Sequence, residues 1–187
     1  RLNNLFNYLK TKSDPNYFPN YGKKSTKFIL KNISLTIKSF KRKNFLDKNS
    51  IKEIEDENYV YFPLHVEPER SLLITAPFYS DQTNVITNIA KSLPIGYTLY
   101  VKEHGSMELY FWRDQSFYKK IIQLPNVKLL HPSFNSKVLM EKCSLLITIA
   151  GTAGLEALFL KKPVIVFSDV TFSKFSNVFR LTNFNDL

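Results

Sequence analysis

From Tyr59 to the end of this 187-residue chain, short runs of β-branched and aromatic residues alternate with stretches in which apolar side chains recur every three or four positions. Candidate strands are 59–65, 97–104, 127–130, 145–150 and 164–167, and candidate helices fill the gaps at 81–92, 115–124, 137–142 and 155–160. Val85, Ile86, Ile89 and Ala90 share one face of the first helix, and Phe117, Ile121 and Ile122 one face of the second. Leu93-Pro94 and Lys162-Pro163 punctuate helix ends, because a residue before proline is pushed out of the α region. About five strands alternating with four helices predict an α/β fold with a Rossmann-like, doubly wound parallel sheet. The sheet domain is assigned to 53–187, preceded by a basic, partly helical linker at 1–52.

Charge separates these two parts. Residues 1–52 carry 13 Lys and Arg against Asp14 and Asp47, a balance of +11, whereas the rest of the chain carries 13 basic against 14 acidic residues. The excess lies in Lys23, Lys24, Lys27, Lys31, Lys38, Lys41, Arg42 and Lys43, interleaved with Phe28, Ile29, Ile33, Leu35, Ile37 and Phe40. Two readings stand for that mixture: peripheral contact with an anionic membrane, or a solvated helix face, the commoner origin of a charge run. Arginine is scarce and no nucleic-acid-binding motif is present, so nucleic acid is not the expected partner. The apolar peak at 144–160 contains Glu156, Gly151 and Gly154 and is too short to span a bilayer, so it reads as buried strand, turn and helix. Cys143 is the single cysteine, which excludes an internal disulfide and favours a reducing, cytoplasmic setting. No secretory signal is readable, and a chain opening on Arg1 is expected to be part of a longer protein.

In a parallel sheet every strand ends on the same edge, where ligands bind in open α/β folds. The residues just past each candidate strand are therefore the candidate site: His65, Glu67 and Glu69; Glu103, His104, Gly105 and Ser106; His131 and Ser133; Gly151, Thr152 and Gly154; and Ser168 and Asp169. All three histidines of the chain fall in this set.

Three constellations carry chemistry. The turn from Ala150 to Ala157 joins an apolar strand to a helix; its glycines let a ligand approach, Thr152 can donate, and Glu156 can accept from ribose hydroxyls. It lacks the third glycine of a dinucleotide fingerprint and the Gly-Lys-Ser/Thr of a P-loop, and a tight turn capped by Thr152 explains it equally well. Lys102-Glu103-His104 places a cation, a carboxylate and an imidazole at one strand end. His65 with Glu67 and Glu69 on a proline-stiffened loop offers a general base, or only a charged surface loop. Ser80 or Asp81 reads as an N-cap, Cys143 as core, and no His/Asp/Glu pair has helical metal spacing, so neither a metal nor another cofactor is expected.

Taken together, the segments 59–69, 81–82, 99–104, 124–129, 147–157 and 162–167 resemble the bacterial capsule polysaccharide biosynthesis and export proteins, which include Kdo-type glycosyltransferases of GT-B architecture. The resemblance implies one nucleotide-sugar-binding lobe, the C-terminal half of a two-lobed enzyme, with a nucleotide-activated, CMP-Kdo-like donor and a glycan or glycolipid acceptor. It implies that Lys102 to His104 contact the donor phosphate and that Gly151, Thr152 and Glu156 form the phosphate and ribose site; beside it, the residues themselves make His65 or Glu67 the group expected to orient or deprotonate the acceptor. Gly105 stands where the family usually has proline, which is expected to loosen the turn that aims His104. A nucleotide-sugar 2-epimerase and a non-catalytic polysaccharide-binding or export component are the alternatives.

Overall fold

The computed structural model describes residues 25–68, 71–110 and 112–187; Glu69 and residues 1–24 of the basic segment lie outside them. Six strands, β1 (Asn58–Pro63), β2 (Tyr97–Lys102), β3 (Val127–Leu130), β4 (Leu145–Thr148), β5 (Val164–Val166) and β6 (Val178–Arg180), form one sheet. Its order is β3-β2-β1-β4-β5-β6, and every neighbouring pair is parallel. The chain thus winds outward in one direction from β1 and in the other from β4, so the topological switch lies between those two strands.

Side chains alternate across the pleat, and both faces are covered, as parallel sheets require. Val60, Phe62, Leu99, Val101, Leu129 and Ile147 face α2 (Gln82–Ser92), α3 (Gln115–Ile122) and the end of α1 (Ser25–Asn49), where Val85, Ile86, Ile89, Tyr118, Ile121 and Leu46 complete one core. Tyr59, Tyr61, Tyr100, Leu146 and Val164 face α4 (Ser136–Lys142) and α5 (Ala153–Phe159), with Leu139, Met140, Ala157 and Phe172. Asp81 caps α2 by accepting from the amides of Thr83 (3.0 Å) and Asn84 (3.3 Å), so of the two candidate caps the aspartate serves.

The helix α1 has no acidic residue before Asp47, and its contacts with the body among the described residues gather near its end. Leu46 is buried, Arg42 pairs with Asp114 at 3.1 Å and donates to the Trp112 carbonyl, and Ile51 bridges to β3. Earlier in the helix Leu30, Ile33, Ile37 and Phe40 are exposed. Among the described residues no helix is long and apolar enough to cross a membrane.

The strand β6 is absent from the sequence expectation. It is three residues long, carries one β-branched residue, and follows β5 through turns in place of the helical crossover that announces the other strands. Strands β1, β2 and β4 each stop two residues earlier than expected, and at β1 the reason is visible. After Pro63 the backbone of His65 is bonded by the Gln82 side chain: Oε1 accepts the His65 amide at 2.8 Å, and Nε2 donates to the His65 carbonyl at 3.2 Å. A carboxamide therefore takes over from the neighbouring strand.

Candidate functional site

The ladder between β1 and β4 holds two residue pairs, Val60 with Leu145 and Tyr61 with Leu146, against six between β1 and β2. Beyond those pairs the two strands part, and the rift opens into a cleft of about 720 Å³. From β1 it is lined by Tyr61 and His65, from β2 by Lys102, His104 and Gly105, from α4 by Ser136, and from the β4–α5 turn by Gly151, Thr152 and Glu156. Strand exits far apart in sequence meet here, the crevice expected at a switch point.

Lys102 is 8% exposed, and its ammonium donates to Ser136 Oγ at 3.0 Å. It has no ion-pair partner among the described residues. Burial lowers its pKa, and the neighbouring Glu103 acts in the opposite sense. Tyr61, which shares Ser136 as a hydrogen-bond partner, has its hydroxyl pushed up to about 12, chiefly by burial. The cleft thus holds a poorly compensated cation, which an anion would relieve.

His104 is exposed at the cleft. Its amide donates to Glu103 Oε1 (2.8 Å), its carbonyl accepts from Met107 (2.9 Å), and its Nδ1 accepts from the Ser106 amide (3.1 Å). This pattern assigns the ring proton to Nε2. These bonds lie on either side of Gly105, where a Cβ would meet nothing within 4 Å.

Several expected ligand contacts are occupied otherwise. Glu103, expected with Lys102 at the donor phosphate, borders the cleft but is wholly buried, and its Oε2 accepts from Arg113 Nε (2.8 Å) and from the Tyr118 hydroxyl (2.7 Å). Burial pushes its carboxyl up, opposed first by the Arg113 charge. Glu67 is not among the residues that line the cleft; Oε2 lies 2.7 Å from Arg113 Nη1, an ion pair without hydrogen-bond alignment, and Oε1 accepts from Gln82. Both carboxylates are clamped by one guanidinium, which also bonds the His65 carbonyl and stacks 4.7 Å over Phe117.

His65 itself is 6% exposed, with Nε2 3.2 Å from the Ile149 amide, 3.5 Å from that of Ala150 and 3.2 Å from Thr148 Oγ1. Backbone amides only donate, so Nε2 accepts and the ring ties the β1 exit to the β4 exit. Burial, helped by the Arg113 and His104 charges, lowers its pKa to about 4. The expectation of a proton-accepting His65 is corrected: that nitrogen is already engaged.

The glycines divide. At Gly151 a Cβ would stand 2.8 Å from Thr148 Oγ1 and 3.0 Å from His65 Cε1, so the close approach of turn and ring depends on it. Gly154 faces Phe172, whose ring would lie 2.8 Å from a Cβ, and its absence of a side chain serves helix packing. Thr152 lies at the start of α5 but makes no capping bond through its side chain, which leaves the exposed hydroxyl for the cleft. Ser133 sits elsewhere: with His131 and Asp47 it lines a separate depression of about 250 Å³ beside α1. There His131 binds Ser133 Oγ through Nδ1 (2.6 Å) and Asp47 through Nε2 (2.8 Å). Among the described residues no group of three His, Cys, Asp or Glu side chains is placed to hold a metal ion.

Tyr61, Ser136, Gln82 and Arg113 escaped the sequence reading as site residues. One signal pointed at Arg113: five of the 26 basic residues are arginines, and an arginine in a lysine-rich chain marks fork-shaped, multiply bonded geometry.

A family model described as capsule polysaccharide biosynthesis protein matches residues 1–175. No curated protein sequence matches the chain. Two solved structures of KpsC from Thermosulfurimonas dismutans share the fold. The one described as beta Kdo 2,4 transferase has a TM-score of 0.56 at 16% identity, over 82% of this chain and 50% of that one. The one described as beta Kdo 2,7 transferase has a TM-score of 0.55 at 12% identity, over 81% and 47%. The chain spans about half the length of either.

Proposed function

The chain belongs to the capsule polysaccharide biosynthesis protein family, and from that premise we propose that it is the nucleotide-sugar-binding lobe of a glycosyltransferase building a surface polysaccharide. The observation that carries this reading is Lys102, a buried ammonium at the switch-point cleft with a hydroxyl for a partner and no carboxylate. A phosphate of the donor supplies the missing charge. As the bond from the anomeric carbon to the nucleotide breaks, negative charge grows on the leaving phosphate, and Lys102 with His104 Nε2–H stabilises it there. Thr152 donates to the same group, and Glu156, exposed on α5, accepts from the ribose hydroxyls.

The donor in this reading is CMP-activated and the acceptor a glycan or glycolipid. The exposed Leu30, Ile33, Ile37 and Phe40, beside exposed Lys31, Lys38 and Lys41, support peripheral contact with an anionic membrane at which a glycolipid is met.

Calorimetric titration with CMP and UDP tests the site. Lys102→Met is expected to lower nucleotide affinity by about 10-fold or more, the scale of a lost charge-assisted bond. His104→Ala is expected to weaken it by more than twofold; affinity unchanged in both variants would remove the assignment.

A further inference from the structure

We infer that His65 meets the bound substrate as an uncharged hydrogen-bond donor, through Nδ1–H, to an anionic oxygen; this rests on the nucleotide-sugar reading of the cleft. The geometry leads there in three steps. Nε2 faces the amides of Ile149 and Ala150, which can only donate, so it is the nitrogen without a proton, and in the neutral ring the proton sits on Nδ1. Nδ1 has no hydrogen-bond partner among the described residues. It is also not sealed off: Arg113 Nη1 is the one buried side-chain nitrogen or oxygen without a hydrogen bond among those residues, so Nδ1 opens to solvent, and the surface to which His65 contributes is the cleft.

The donor is held in place before any ligand arrives. Gln82 binds the His65 backbone on both its amide and its carbonyl, Arg113 binds the same carbonyl, and the ring is pressed against Gly151. A ring fixed at both ends and kept neutral gives a donor whose strength does not change across the neutral pH range, where an ordinary histidine changes charge. Lys102 in the same cleft selects for an anionic acceptor. That oxygen belongs either to the nucleotide phosphate or to the carboxylate of an acidic sugar.

Long-range ¹H–¹⁵N correlation of histidine-labelled protein reads the tautomer directly, without a variant. The expected spectrum at pH 7 shows His65 protonated on Nδ1, with that resonance moving on saturation by CMP if the phosphate is the partner, or by N-acetylneuraminic acid if the carboxylate is. A proton on Nε2 overturns the inference. So does a His65 resonance unmoved by both probes while that of His104 shifts, a result that leaves the nucleotide-sugar reading standing. Silence of both residues to every probe ends both. As a second measure, His65→Gln keeps an acceptor for the Ile149 and Ala150 amides but loses the ring Nδ1–H. It is expected to weaken binding of the shifting probe by about 10-fold while leaving the melting temperature near that of the parent. His65→Asn, which retains a donor near Nδ1 and loses the acceptor, is expected to do the reverse, and equal affinity of the parent and His65→Gln would count against the assignment.

Discussion

His65 and His131 both follow a strand of the same parallel sheet, and both have a serine or threonine hydroxyl within hydrogen-bond distance, yet they end in opposite circumstances. His65 is buried, bonded to backbone amides of another strand's exit, and lines the large cleft. His131 bonds Ser133 two residues on and Asp47 of α1, in a shallow depression. The difference is topological. β1 and β4 part company at the switch point, so the exit of β1 opens into a crevice, whereas β3 is the sheet's edge and its exit is met by the end of α1. A strand-exit residue thus reaches the site where it borders the crevice opened at the switch point, as the exits of β1, β2 and β4 do and that of β3 does not.

Breaking the contrast at its strongest point means removing the clamp behind His65. Arg113→Met leaves Glu103 buried without its cation and is expected to cost about 3–5 kcal/mol in denaturant unfolding, while Asp47→Asn at the other histidine costs well under about 1 kcal/mol. Equal losses would show the two networks to be equivalent. Acidity is the next lever. His65 has a pKa of about 4 in the fold and about 6.5 when unfolded, so below 6.5 the unfolded chain binds the proton more readily. The stabilisation is therefore complete above pH 6.5 and is lost as pH falls from 6.5 to 4, by about 3 kcal/mol at the lower limit. His65→Gln should flatten that part of the profile, and a parent profile already flat there would contradict the buried neutral ring.

The comparison sharpens at the two glycines of the α5 turn. Gly154→Ala is expected to destabilise by about 1–3 kcal/mol through overpacking against Phe172, with nucleotide affinity unaltered in the folded fraction. A change in affinity there would return Gly154 to the binding surface. Smallest of all, Ser133→Ala and His131→Ala should leave nucleotide affinity within twofold by calorimetry, because neither residue lines the cleft.

Strand-by-strand alternation made the α/β fold legible, since each crossover helix presents an apolar stripe to the sheet and each buried strand is a short apolar run. β6 lay beyond reach because Val178–Arg180 is too short to show a period and no helix leads into it. At the site, the edge of the sheet was legible but the direction of side chains was not. Lys102 and Glu103 are adjacent in sequence and both border the cleft, but the ammonium of one bonds Ser136 while the carboxylate of the other is taken up by Arg113. Glu67 looked like a free carboxylate on a loop because its partners, Gln82 and Arg113, lie 15 and 46 positions away in sequence. Gln82 itself carried no chemical signature; an amide at a helix start reads as neutral filler until the backbone it serves is seen.

That amide imposes an unusual dependence. Because the peptide unit of His65 finds its complement in a side chain and not in another strand, the shape of the cleft wall is encoded partly at the beginning of α2, outside the wall itself. A mutation at position 82 would therefore be felt as a change in ligand preference before it registered as a loss of folding, and a search for altered specificity has reason to begin there.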